Sequence, residues 1–236
     1  MARANRIEPP DVAAKGAAPR VPLARLAAER VEALVHAAFD PVERYDADAT
    51  PASDHDLNPE IALPIDGLAP AAVLVALIER PEGLTVLFTQ RADQLRQHAG
   101  QIAFPGGGAE AGEAPWETAL REAHEEVGLD PALVRVAGLA KPYRTITGFH
   151  IVPVVGFVAQ PPAFTPNAGE VADLFEVPFA HLMDPANHER RHRTLPPGPP
   201  RWYWAIAWQD RLIWGATASM VRGLYDRLEA AYDAAP

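Results

Sequence analysis

Apolar positions follow two rhythms along the chain. The first is a set of short, unbroken blocks. Ala71 to Ile78 and Leu84 to Thr89 are apolar runs separated by Glu79-Arg80-Pro81-Glu82-Gly83, which predicts two strands joined by a tight turn. Gln101 to Phe104, Leu133 to Leu139 and Ile151 to Val158 predict further strands. Leu174 to Pro178 predicts a short strand entering a turn, with a helical segment to Leu182. Arg201 to Trp208 and Arg211 to Trp214 predict a second hairpin around Gln209-Asp210. The second rhythm is helical. Leu23, Ala27, Val31, Leu34 and Ala38 recur at helical spacing to about Phe39, and Met220, Leu224 and Leu228 mark a helix over Ala216 to Tyr232. Between these lies a central helix whose buried stripe is predicted to be Trp116, Leu120, Ala123 and Val127. Pro115 suits its first turn, and Gly128 and Pro131 stop it.

The intervals between these blocks are less patterned. Residues up to about Arg20 are rich in Ala and Pro and predict a loose tail. Asp40 to Gly67 is polar with several prolines and predicts a long connecting arm. Asp184 to Pro200, with His188-Glu189-Arg190-Arg191-His192-Arg193, predicts an exposed basic loop rather than a phosphate site. The expected division is therefore a tail, short helix and arm over 1–69 and a compact domain over 70–236. Periodicity does not say whether the first helix docks on its own domain or on a second copy, so a homodimer stays open. There is no internal repeat.

Composition narrows the function classes. The formal net charge of −10 argues against a broad nucleic-acid footprint, which needs a basic surface, although one local phosphate pocket is allowed. No cysteine is present, which excludes disulfides and thiolate zinc sites and fits a cytoplasmic protein. No apolar run approaches the roughly 18 residues that span a bilayer. The start, MARANRIEPPD, lacks the apolar core of a secretory signal, and Glu8 and Asp11 count against a transit peptide.

The chemistry concentrates on the central helix. Glu122, Glu125 and Glu126 stand at i, i+3 and i+4, roughly 100–180° round from the predicted stripe at 3.6 residues per turn. Like charges at this spacing destabilise a helix by a few tenths of a kcal/mol per pair. Such a cluster is either a solvated face or a cation site. The glycine turn Phe104-Pro105-Gly106-Gly107-Gly108, Glu113 and Arg121 favour the second reading. Oxygen donors without Cys suit a hard cation such as Mg²⁺ or Mn²⁺.

Gly107, Glu113, Arg121-Glu122, Glu125-Glu126 and Gly128 fit the pattern G-x5-E-x7-R-E-U-x-E-E-x-G-U, with Ala123 and Leu129 in the two aliphatic positions. The chain thereby resembles the Nudix hydrolases. The resemblance implies an α/β fold, an α/β/α sandwich with a mixed sheet, here with an N-terminal helical extension. It implies metal-dependent attack of water on a diphosphate linked to another group. Glu122 and Glu126 would bind Mg²⁺ or Mn²⁺, Glu125 would be a third ligand or a base, and Gly107 would offer its carbonyl oxygen. Arg121 would pin the glutamates and Glu113 would support them. Nudix enzymes place the base inside or outside the box, and Glu170 is the outside candidate, with a solvated loop acid as the alternative.

The segment before the box is informative about substrate. Leu87 to Arg91, Leu95-Arg96, His98, Gly100-Gln101 and Phe104 to Gly107 are similar to the coenzyme A diphosphatase signature L-L-x-x-R-x-x-x-L-R-x-H-x-G-x-x-x-F-P-G-G, with Phe88 in place of the second leucine. Thr147-Gly148-Phe149, Glu170-Val171, Phe175 to Pro178 and Trp214-Gly215 extend the likeness. It implies a small-molecule partner of the coenzyme A type, cleaved to 4′-phosphopantetheine and adenosine 3′,5′-bisphosphate. Arg91 and Arg96 are candidate phosphate binders, since the guanidinium fork suits bidentate contacts, the alternative being that one of them only pairs with an acid of the fold. His98 either contacts phosphate or holds the turn. His124 and His150 read as structural or solvated. The rival readings are another Nudix substrate (ADP-ribose, a dinucleotide polyphosphate, a damaged nucleoside triphosphate) and a non-catalytic nucleotide-binding module.

Overall fold

The computed structural model describes residues 22–60, 67–92, 100–158, 163–194 and 198–235. In chain order the elements are α1 (Ala28–Ala38), β1 (Ala52–Ser53), β2 (Ala69–Arg80), β3 (Gly83–Arg91), β4 (Ile102–Ala103), β5 (Gly106–Gly108), α2 (Pro115–Val127), β6 (Val134–Leu139), β7 (Tyr143–Arg144), β8 (Phe149–Val158), β9 (Val171–Pro178), α3 (Phe179–Leu182), β10 (Glu189–Thr194), β11 (Pro200–Trp208), β12 (Arg211–Trp214) and α4 (Ala216–Ala234).

The apolar run of β2 is unbroken because both of its faces are covered. Ala72, Leu74, Ala76 and Ile78 point to one side, where they meet Ala119, Ala123 and Val127 of α2. Val73, Val75 and Leu77 point to the other, where they join α1 and α4 through Val31, Val35, Val221 and Leu224. β2 pairs parallel with β8 and antiparallel with β3, so the nine-stranded sheet is mixed. Helices on both faces of a mixed sheet are the α/β/α sandwich expected. No helix among the described residues is long and apolar enough to cross a membrane.

Three expectations are revised. The predicted first helix is an α-helix preceded by a 3₁₀ turn at Leu23–Arg25, and α1 packs against α4 of its own chain. The predicted basic loop contains a strand, β10, paired in register with β11 in a separate three-stranded sheet. It carries no apolar run. Its support comes from the backbone ladder and from Trp202, which His192 meets edge-on at 4.8 Å and Arg190 covers at 4.6 Å.

The segment predicted as a connecting arm also carries structure. Ala52 and Ser53 pair parallel with Tyr143 and Arg144. Asp54 accepts from the Tyr143 hydroxyl at 2.7 Å and from the Ile146 N–H at 3.3 Å. Asn58, only 3% exposed, donates to the carbonyls of Asp54 and Trp202 and accepts the Trp202 N–H at 2.7 Å. One amide thus ties the arm to β11. A polar sequence misses this because the docking combines hydrogen bonds with a few isolated apolar contacts, from Val42, Tyr45 and Ala52, that form no periodic pattern.

Asn58→Ala leaves the buried backbone groups of Trp202 without that partner. The expected cost is about 2–4 kcal/mol of unfolding free energy in urea titrations, from a buried group losing several bonds. Asn58→Asp, which cannot donate to the two carbonyls, is expected to cost at least as much.

Candidate active site

Helix α2 starts at Pro115. Its preceding residue, Ala114, has no capping side chain, and Glu117 compensates by accepting the Ala114 N–H at 2.8 Å. The helix ends at Gly128, whose φ of +70° closes the last turn. Its buried face differs from the predicted stripe. Ala119, Ala123 and Val127 are fully buried, whereas Trp116 and Leu120 are only half-buried. The small alanines let the helix lie close to β2, and this turns Glu126 inward to 4% exposure. The three glutamates are therefore not set opposite the apolar stripe. Glu126 is part of the buried face, Glu122 is half-buried, and Glu125 is 53% exposed.

The glycine strand β5 makes this possible. A Cβ on Gly107 would stand 2.5–2.7 Å from the Glu122 carboxylate, so any side chain there displaces it. Gly106 donates its N–H to Glu126 at 3.2 Å. Arg121 organises the other carboxylates. It grips Glu113 with Nε at 2.7 Å and Nη2 at 3.1 Å, reaches Glu122 at 3.0 Å and Glu125 at 3.1 Å, and donates to the Gly108 carbonyl at 3.0 Å. Glu113 also accepts from Thr118 and from the Glu110 N–H.

These environments split the carboxyls electrostatically. The Arg121 fork and the Glu110 N–H hold Glu113 down at about 2. Burial pushes Glu122 up against the pull of Arg121. Burial pushes Glu126 up to about 7, opposed by the Gly106 N–H and Arg91 and reinforced by the charges of Glu122 and Glu170.

Arg91 and Glu170 close the cluster from the sheet. Pairing between β3 and β9 shifts register at Gln90/Arg91, a bulge of the kind that re-aims a side chain. Arg91 Nη1 lies 3.7 Å from Glu126, and its buried Nε has no hydrogen-bond partner among the described residues. Glu170 accepts the Ala92 N–H through its carbonyl, and its exposed side chain adds negative charge to Glu122 and Glu126. The segment before it caps α2, with Thr165 and Asn167 donating to the Val127 and Glu126 carbonyls at 2.8 Å. Arg96 and His98 lie outside the described residues. His124 is exposed, and burial lowers the pKa of half-buried His150.

Among the described residues, no three His, Asp or Glu side chains are already gathered around one cation position. The donor set itself suits a hard cation: it is all oxygen, with two carboxyls whose charge is destabilised by burial.

A cleft of about 540 Å³ opens beside the cluster, within the range of small-molecule sites. Arg91 and Gly106 to Gly108 belong to its lining, so it meets the acidic site directly. The opposite walls come from the arm (Asp54, His55, Asn58), from Thr145 to Thr147, and from the small sheet (Arg193, Arg201, Tyr203, Trp214). Ile146 and Trp214, both 39% exposed, turn their apolar surface into it. Sequence reasoning singled out the acidic cluster and, among the walls, Thr147, Phe149 and Trp214, but gave no role to Asp54, Asn58, Arg201 or Tyr203.

The NUDIX domain family matches residues 68–197. The uncharacterized Nudix hydrolase NudL of Pectobacterium atrosepticum is 41% identical over 170 residues, 68% of this chain and 83% of that protein. Its namesake in Yersinia pestis is 41% identical over 163 residues, 65% of this chain and 77% of that protein. The chain belongs to the NUDIX family. Among solved structures, a NUDIX hydrolase from Nitrosomonas europaea is 16% identical with a TM-score of 0.45, over 74% of this chain and 78% of that one. This Nudix hydrolase thus has the coarse chemistry of its family, hydrolysis of a diphosphate linkage. The family match ends before β11, β12 and α4 and begins after the arm, pieces that supply part of the cleft wall.

The buried Glu126 gives a stability test. A carboxyl whose folded pKa is raised favours the folded state when protonated. That contribution is complete below the unfolded value near 4.5 and is lost as pH rises to about 7. In metal-free buffer at pH 8, Glu126→Gln is expected to gain roughly 1–3 kcal/mol in urea unfolding, and at pH 4 to match the parent. Destabilisation at pH 8 would mean that Gly106 and Arg91 more than offset the burial.

Proposed function

We propose that this chain hydrolyses the diphosphate of coenzyme A or its derivatives, releasing 4′-phosphopantetheine (or its acyl form) and adenosine 3′,5′-bisphosphate. The observation that carries the reading is Arg91, which belongs both to the acidic cluster and to the large cleft. It lies in the coenzyme A diphosphatase signature, and its unpartnered buried Nε suits a diphosphate oxygen.

Glu122 and Glu126 are the proposed holders of a divalent cation, Mg²⁺ or Mn²⁺, with Glu125 and the Gly107 carbonyl as further donors. A cation held there would supply charge neutralisation at the diphosphate and Lewis acidity for the attacking water. Glu113 and Arg121 act as a frame: the fork of Arg121 holds Glu122 and Glu125 at fixed spacing and is itself held by Glu113. Arg91 orients the diphosphate against the floor. Proton removal from the attacking water falls to Glu125, which is the most exposed carboxylate of the helix cluster, or to Glu170 across from it. Separate substitutions of Glu125 and Glu170 by Gln distinguish the two through the pH profile of kcat.

The deciding experiment incubates the full chain with coenzyme A and Mg²⁺ or Mn²⁺, beside ADP-ribose and a nucleoside triphosphate, with chromatographic separation of products. Preference for coenzyme A is expected. Glu126→Gln is expected to lower turnover by about a hundredfold or more, since even outer partners of metal ligands are worth ten- to hundredfold. Preference for another diphosphate overturns the substrate and keeps the chemistry. Undiminished turnover in Glu126→Gln overturns the ligand assignment.

A further inference from the structure

The small sheet carries a run of cations in an otherwise acidic protein, and most of them are accounted for. Arg190 lies over the Trp202 ring at 4.6 Å, Arg191 pairs with Glu189 at 2.6 Å, and His192 packs edge-on to Trp202. Two are not. Arg193 and Arg201 are directly opposite each other across the β10–β11 ladder, and among the described residues neither has an ion-pair or hydrogen-bond partner. Side chains directly opposite on an antiparallel pair sit about 4.5–5.5 Å apart at Cβ, and like charges there destabilise the sheet. Both arginines line the concave wall of the cleft.

Register places aromatic surface beside them. Arg193 and Arg201 share a face with Tyr203, two residues along β11, and with Trp214, which is opposite Ala205. Tyr203 and Trp214 meet edge-to-face at 5.6 Å, and both line the same cleft. Two guanidinium groups on one face beside an aromatic corner, in a cleft that Arg91 and Gly106 to Gly108 also line next to the acidic cluster, have the composition of a nucleotide site with a second phosphate. Base stacking on the aromatics tolerates many bases, whereas the paired guanidinium groups demand an anion.

We propose that Arg193 and Arg201 form a second anion subsite, which holds a phosphate monoester on the ribose of a nucleotide whose base rests against Tyr203 and Trp214. The subsite selects diphosphates that carry a further phosphate. In the coenzyme A reading, on which this assignment partly rests, that group is the 3′-phosphate. Binding it also relieves the cross-strand repulsion, so ligand and hairpin stabilise each other.

The test uses the full chain and two ligands that contain no cleavable diphosphate, adenosine 3′,5′-bisphosphate and AMP, in calorimetric titrations. The bisphosphate is expected to bind about ten- to hundredfold more tightly, the range of charge-assisted phosphate contacts. Arg193→Gln/Arg201→Gln is expected to erase that difference and leave AMP affinity unchanged. Arg201→Glu serves as the folding control, because an opposite-charge pair with Arg193 supports the hairpin. It should remove the preference while holding or raising the melting temperature. Equal affinity of the parent for both ligands, or a preference that survives both variants, overturns the subsite. Hydrolysis separates it from the substrate proposal. Coenzyme A left uncleaved, with the bisphosphate preference intact and dependent on the pair, sustains the subsite and removes the coenzyme. Coenzyme A and its 3′-dephospho form cleaved alike by the parent overturn the subsite and keep the diphosphatase.

Discussion

The rest of the structure depends on one costly placement, a carboxyl buried against the sheet. Glu126 is 4% exposed, and an ionised carboxylate in that position needs compensation or a proton. The fold supplies only part of it: one N–H from Gly106 and a distant guanidinium from Arg91. The remaining deficit appears as a pKa near 7. This is the arrangement expected of a group held ready for a stronger cationic partner, and it explains several local features together. Ala119 and Ala123 bring the helix near the sheet, and a glycine strand leaves room for carboxylates where side chains would collide.

Arg121 deals with the complementary difficulty. Glu122, Glu125 and Glu113 repel one another, and one guanidinium spans all three while reaching a backbone carbonyl of β5. Lysine, a point charge without a planar fork, cannot reproduce that geometry. The consequence is asymmetric. Glu113 is held firmly ionised at the edge, whereas Glu122 and Glu126 are raised by burial toward the floor of the cleft. A graded set of carboxyls of this kind separates supporting groups from reactive ones without any difference in residue type.

The three layers of the sandwich were legible because β2 and β8 are apolar on both faces and the helices carry clear periodicity. The clustering of the α2 carboxylates around Arg121 was legible from their spacing. The orientation of the helix was legible only in part: Ala123 and Val127 of the predicted stripe are buried, but the stripe was extended to Trp116 and Leu120 and omitted Ala119 and Glu126. Trp116 and Leu120 are in fact flanking, and the alanines, chosen for close approach, define the contact. The arm and β10 were illegible for a related reason. Their attachment runs through Asn58, Asp54 and ring contacts to Trp202, none of which leaves an apolar pattern in the sequence.

This division has a functional sense. The acidic floor, the Arg121 frame and the glycine strand lie within the span shared with the family, and they suit any diphosphate. Part of the cleft wall lies within that span, from Thr145 to Thr147 and Arg193, and part comes from the arm before it and from β11, β12 and α4 after it. Asn58 joins the two additions, so the arm and the hairpin form one wall only when both are present. The proposed chemistry therefore sits on the central sheet and α2, while part of the cleft wall sits on pieces docked beside them, as expected where function is grafted on a shared fold. Arg91 is the exception that makes the partition work. As the last residue of β3, at a bulge, it lies 3.7 Å from Glu126 and also lines the cleft, so in the proposed function a residue of the core sheet links the bound substrate to the carboxylates.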